Sequence, residues 1–117
     1  MIAEQLLAHG AAAWNGGDLD SFVADYADSA TFVTSRGLVS GRAAIRGLYA
    51  PRFGPGVQRG TLSFENVQVF VLSEGVLHVV AWYVLTGLPT GTQRGPTSLV
   101  LVREGEGRWR IAHDHSS

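Results

Sequence analysis

The chain has no cysteine and no lysine, and only one methionine. Without cysteine there is no disulfide, no thiolate nucleophile and no thiolate metal site. A reducing cytoplasm is the default location. No apolar run approaches the roughly 20 residues of a membrane-spanning helix. The opening MIAEQLLAHG lacks the basic start of a secretory leader, so neither a membrane nor export is expected. Charge is also scarce, at 16% of residues, with a net charge of −1. The nine basic residues are all arginine and lie scattered among ten acids. A nucleic-acid partner would need a basic patch or stripe, and none is visible. No glycine-rich dinucleotide fingerprint occurs, because the glycines sit in turns. Arginine without lysine, with abundant Ala, Gly and Val, suggests a bacterial genome of high GC content.

What is present is 117 residues with 45% hydrophobic content. That is one domain, residues 1–117, with enough chain for a real core. Residues 1–16 place Ile2, Leu6, Leu7, Ala11, Ala13 and Trp14 at helical spacing, and Asn15-Gly16-Gly17 ends that helix. Asp18 is positioned to cap a second, short helix, DLDSFVADY. ATFVT reads as a strand. GRAAIRGLYAPRF reads as a third helix, which Pro51 should kink or end. From Gly60 onward, TLSFENVQVFVL, VLHVVAWYVLTG, GPTSLVLVR and RWRIAHDHS read as strands separated by glycine turns. Helices first and an antiparallel meander after them indicate an α+β fold, with helices on one face of a curved sheet.

The last hairpin suggests a register. If Arg103 faces Arg108, then Val100 opposes Ile111, Ser98 opposes His113, and Pro96 opposes His115. Strict alternation then sets Trp109, Ile111, His113 and His115 toward the helices and Asp114 away from them. In VLHVVAWYVLTG, His78, Val80, Trp82, Val84 and Thr86 share one side, and Leu77, Val79, Ala81, Tyr83 and Leu85 the other. Both sides are apolar, and helices cover only one face. The other is expected to meet a second copy, giving a homodimer packed sheet to sheet.

The stretches WNGGDLDSFVADYADSATFV, GRAAIRGLY, AWYVLTG, RGPTSLVLVREGEGRW and WRIAHDHSS, in that order, resemble the nuclear transport factor 2-like superfamily, in its SnoaL-like bacterial branch. The closing strand and the LTG…G region also look like the association domain of calcium/calmodulin-dependent kinase II. The resemblance implies a cone-shaped, cystatin-like α+β barrel. It further implies a cavity between helices and sheet, and dimers through the outer sheet face. It leaves function open, because this scaffold hosts isomerases, polyketide cyclases, dehydratases, epoxide hydrolases and non-catalytic assembly domains.

The candidate chemistry comes by elimination. Eight acids fall at helix ends or in turns, which leaves Glu65 and Asp114. Neither is expected on the cavity face, so the aspartate base of related isomerases is not expected here. His113 becomes the candidate acid/base, since histidine exchanges a proton near neutral pH. His78 and His115 are its substitutes, and Ser98 is its expected neighbour. Tyr26, Tyr49 and Trp82 are candidates to donate hydrogen bonds to a substrate oxygen. Thr86 lies on the same strand face as His78 and Trp82. Arg94 is expected at the rim, to hold a carboxylate or enolate. Trp14, Phe22, Phe32, Phe53 and Val84 are expected as apolar walls. His78, His113 and His115 are metal-ligand types, but no carboxylate converges on them, so no metal is expected. A Ser–His–Asp triad fails because Asp114 is expected to point away from His113.

The expectation is therefore a cofactor-independent binder of a small apolar, polyketide-like molecule, of the kind found in polyketide or enediyne antibiotic biosynthesis. It would be an isomerase, cyclase or dehydratase. The alternative is a non-catalytic ligand-binding or assembly dimer.

Overall fold

The computed structural model describes residues 1–117. Its order is α1 (Ile2–Asn15), α2 (Leu19–Ala24), β1 (Tyr26–Thr34), β2 (Gly37–Ser40), α3 (Arg42–Tyr49), a 3-10 turn (Ala50–Phe53), β3 (Thr61–Ser73), β4 (Val76–Leu88), β5 (Gly91–Glu104) and β6 (Arg108–Ser116). The expected α+β class holds, with three helices and one sheet. Asp18 caps α2 by accepting from the Ser21 amide at 3.1 Å. Gly17, at φ +71°, supplies the left-handed residue that turns the chain after α1. Pro51 enters the 3-10 turn directly after α3, which is where a residue without an N–H ends a helix.

The six strands run in the order β2-β1-β6-β5-β4-β3. All neighbouring pairs are antiparallel except β1 with β6, which is parallel. β2 and β3 are free edges, so the sheet curves around the helices without closing into a barrel. Register shifts interrupt four of the five pairings, and such bulges bend and twist a sheet locally. Asn66, at φ 53°, sits in the interruption of β3.

The core forms where α1, α2 and α3 cover the concave side. Ala3, Leu7, Val23 and Ile45 meet Leu77, Val79, Ala81, Leu99, Leu101 and Ile111 there. Burying a Leu, Val or Ile side chain contributes about 1.5–3 kcal/mol each before conformational entropy is charged. A smaller cluster of Trp14, Leu62 and Leu85 closes one end. Asn15 fixes α1 to the edge strand there. Its Nδ2 donates to the Leu62 carbonyl at 3.1 Å, and its Oδ1 accepts from the Leu62 amide at 2.7 Å. The side-chain amide thus stands in for a strand neighbour.

Two expectations about side-chain direction are overturned. The β5–β6 register pairs Arg103 with Trp109 and Leu101 with Ile111. A bulge then follows, so that Val100 faces His113 and Ser98 faces His115. The extra residue breaks strict alternation within β6. Ile111 and Asp114 are both buried, while His113 and His115 turn to the other side. In β4, Leu77, Val79, Ala81, Tyr83 and Leu85 take the concave side. His78, Trp82 and Thr86 therefore lie on the outer side. Both sides of that strand are apolar, so hydropathy alone could not choose between them.

Candidate functional site

A cavity of about 600 Å³ lies between the helices and the concave side of the sheet. Its walls are mostly apolar. Leu7 and Trp14 come from α1, Phe22 from α2, Phe32 from β1, Leu62 and Phe64 from β3, Leu85 from β4 and Leu99 from β5. The aromatic rings interlock edge to face. Trp14 meets Phe22 at 5.4 Å and Phe53 at 5.3 Å between centroids, and Tyr49 meets Phe22 at 4.9 Å and Phe32 at 5.8 Å. Such contacts contribute about 0.5–1.5 kcal/mol each beyond area burial, and they make these walls stiff.

One carboxyl group lies within this apolar lining. Asp114 is only 4% exposed. Its Oδ2 accepts from the Tyr26 hydroxyl at 2.6 Å, and its Oδ1 accepts from the Ser116 hydroxyl at 2.6 Å. Ser116 in turn lies 3.1 Å from the Thr97 hydroxyl. Burial raises the Asp114 pKa, and the Ser116 and Tyr26 hydrogen bonds and the nearby His113 and His115 only partly oppose that rise. The Tyr26 phenol is pushed well up, first by burial and then by its neighbours Tyr49 and Asp114. Burial and Asp114 also raise the Tyr49 phenol. Both tyrosines therefore stay protonated as hydrogen-bond donors in the cavity, and Asp114 is the group able to accept a proton.

The bulge in β6 is what puts Asp114 here. After it, the aspartate pairs across β1 with Phe32 and across β5 with Leu99, both of which line the cavity. A second acid, Asp25 at the end of α2, also borders the cavity and is held by His9 at 2.7 Å.

Among the residues singled out from the sequence, Trp14, Tyr26, Phe32 and Tyr49 line the cavity, and His115, on the opposite side of β6 from Asp114, borders it near the end of the strand. Phe53 stands one layer behind, against Trp14 and Phe22. The others do not converge. His113 is turned out of the cavity, with its Nδ1 2.6 Å from the Thr31 hydroxyl. Ser98 is bonded to His78 at 3.0 Å on the outer side and faces His115 in the sheet, so it is not the neighbour of His113. Trp82 is 37% exposed on the outer side. Thr86 is exposed, and Val84 shares its side of β4. Arg94 is ion-paired with Glu65 away from the cavity lining. The expectation that no acid faces the cavity is thus wrong, and so is the placement of His113 on the cavity face.

Sequence reasoning missed Asp114, Ser116 and Thr97 as site residues. Elimination nevertheless reduces ten acids to two, one of them Asp114. Only the bulge was invisible, because Ala112 carries no turn or glycine signal. No group of three His, Cys, Asp or Glu side chains gathers in ligating geometry, the three histidines considered as metal ligands included. No helix is long and apolar enough to cross a membrane.

A family model described as a SnoaL-like domain matches residues 3–117. Among solved structures, an NTF2-like protein of unknown function from Shewanella oneidensis is 28% identical. That match covers 97% of this chain and 93% of the other, with a TM-score of 0.85. A scytalone dehydratase-like protein from Novosphingobium aromaticivorans is 12% identical over 97% of this chain and 79% of its own, also at TM-score 0.85. A Catenulispora acidiphila protein in complex with S-DNPA is 18% identical over 98% and 92%, at TM-score 0.78. The last two likenesses bear on fold alone. No curated protein matches in sequence.

Proposed function

The chain belongs to the SnoaL-like domain family, and from that premise we propose that it binds a small, mostly apolar molecule in its cavity and moves a proton on it. The observation that carries this reading is the Asp114–Tyr26 pair, a buried carboxylate hydrogen-bonded to a phenol inside an aromatic cavity. Raising a carboxyl's pKa makes it a better base toward carbon acids and other weak acids. Ionised Asp114 takes a proton from the carbon next to a carbonyl. It then returns that proton to a different carbon in an isomerisation, or to a departing hydroxyl in a dehydration. The Tyr49 hydroxyl, near both Tyr26 and Asp114, is the donor for the oxygen on which charge develops. A polyketide-like ketone suits these walls and this chemistry, and the step needs no cofactor. The reading includes a homodimer through the outer sheet face, where Phe70 and Trp82 are exposed.

The test is proton exchange. Aromatic and polyene ketones are incubated with the protein in deuterated water, and label uptake next to the carbonyl is followed by NMR. Asp114→Asn should bind the same ketones and lose roughly 10²–10⁴-fold in exchange rate. His113→Ala should exchange at the wild-type rate. If ketones bind and none exchanges, the protein is a non-catalytic ligand-binding dimer, the reading that the exposed outer face also suits.

A further inference from the structure

Beside the cavity mouth lies a second, shallower depression of about 370 Å³, which shares Arg52 and Gln93 with the cavity lining. Arg59 is its other cationic wall, and no acidic side chain lines it. Four arginines elsewhere are ion-paired: Arg42 with Asp28, Arg46 with Asp20, Arg94 with Glu65 and Arg103 with Glu74. Arg52 and Arg59 have no carboxylate partner, as is also true of Arg36, Arg108 and Arg110, but these two line the same depression. The fold holds them in place by other means. The Arg59 Nε donates to the Trp14 carbonyl at 2.9 Å, its Nη1 donates to the Arg52 carbonyl at 3.4 Å, and its guanidinium stacks 4.8 Å over Phe53. The Arg52 guanidinium lies 6.0 Å over Trp14 and makes no hydrogen bond of its own. It is also near enough to Tyr49 to favour that residue's phenolate.

We infer that this depression is an anion site. It takes the carboxylate or phosphate end of a ligand whose apolar body fills the cavity, which rests on the small-molecule reading above. The anchored Arg59 guanidinium and the unpaired Arg52 guanidinium, both with free donors, match planar or tetrahedral oxyanions. They also sit where an elongated ligand would emerge. An anionic tail held at Arg52 would fix the depth of the body, and with it which carbon meets Asp114. Arg52 is a positioning residue in this scheme.

Three probes of equal apolar body separate the parts: 6-phenylhexanoate, 5-phenylpentyl phosphate and uncharged 5-phenylpentan-1-ol, each titrated by heteronuclear NMR. On the wild type, at least one acid should bind roughly tenfold more tightly than the alcohol, the size of effect that a charged hydrogen bond supports. Whichever acid binds more tightly identifies the head group as carboxylate or phosphate. Arg52→Gln should remove that preference, the acids losing more affinity than the alcohol, and Arg52→Lys should restore part of it. Equal affinities of all three for the wild type would overturn the anion site while leaving the cavity reading intact. So would an equal loss of all three in Arg52→Gln. If none of the three binds, the cavity reading fails, and inorganic phosphate then tests the depression alone. Movement of both the Arg52 and Arg59 Nε–H signals in wild type, with the Arg59 signal no longer moving in Arg52→Gln, supports the site. No movement in wild type overturns it.

Discussion

Asp114 carries an opposition between stability and chemistry. Because burial raises its pKa, the folded protein keeps a proton that the unfolded chain has already lost at intermediate pH. The favourable contribution is full below the unfolded carboxylate pKa, about 3.9. It is lost as pH rises through the folded-state value, so at neutral pH the ionised carboxylate works against folding. Asp114→Asn keeps the shape and cannot ionise. Its melting temperature relative to wild type should therefore be higher at pH 7 than at pH 4, and a difference that does not change with pH would contradict this account. Tyr26→Phe acts in the opposite direction. It takes away the hydroxyl that donates to Oδ2, which should raise the Asp114 pKa further and move the acid limb of any pH–rate profile upward. It should also cost about 1–3 kcal/mol, because a buried acceptor loses its partner. At this scale the sequence was partly legible. Trp14, Tyr26, Phe32 and Tyr49 are recognisable cavity residues because bulky aromatics on amphipathic elements point to the core. The direction of Asp114 was not legible, because it hangs on one bulge.

Within the elements, helix caps and glycine turns follow directly from local chemistry, and Asp18, Gly17 and Pro51 act as their residue types dictate. Strand faces do not follow so directly. In β4 both alternating sets are apolar, and in β6 the extra residue exchanges the sides of His113 and Asp114. Such choices are made by what packs on each side, which local patterning does not encode. Two glycines illustrate how far context decides. Gly10 lies inside α1 and lines the cavity, and an added Cβ would meet nothing within 4 Å. Gly10→Ala should stabilise the protein by about 0.5–1 kcal/mol, since glycine is the costlier residue inside a helix. Gly95, in β5, lies under the Tyr83 ring, where a Cβ would come within 2.6 Å of Cε2. Gly95→Ala should destabilise by about 1–3 kcal/mol through overpacking. Denaturant unfolding of the two variants should thus give midpoints on opposite sides of wild type. A shift of Gly95→Ala to higher denaturant would mean that Tyr83 moves freely at the cavity wall.

For the whole molecule, the helices take one side of the sheet and leave the other to solvent in a single chain. On that outer side Phe70 is 47% exposed and stacks 5.8 Å from His78, and Trp82 is 37% exposed. Aromatic residues standing together on an uncovered sheet mark an interaction surface more often than a solvated one. The apolar character of both sides of β4 made this face legible in the sequence, although the assignment of which residues lie on it had to be exchanged. A second copy of the same face would stack two sheets about 10 Å apart, the ordinary spacing of packed sheets. A standard interface of about 1,600 Å² in total would be enough to hold such a pair. Sedimentation equilibrium should therefore return about twice the 12.5 kDa chain mass at micromolar concentration. Trp82→Glu should return the single-chain mass, because two copies would bring like charges together on a desolvated surface. Its cavity residues and far-ultraviolet circular dichroism should be unchanged, since Trp82 lies on the opposite side of the sheet from the cavity. A wild-type mass equal to one chain would leave Phe70 and Trp82 available to a different partner. A dimer that survives Trp82→Glu would place the contact on another surface, such as the free edges β2 and β3.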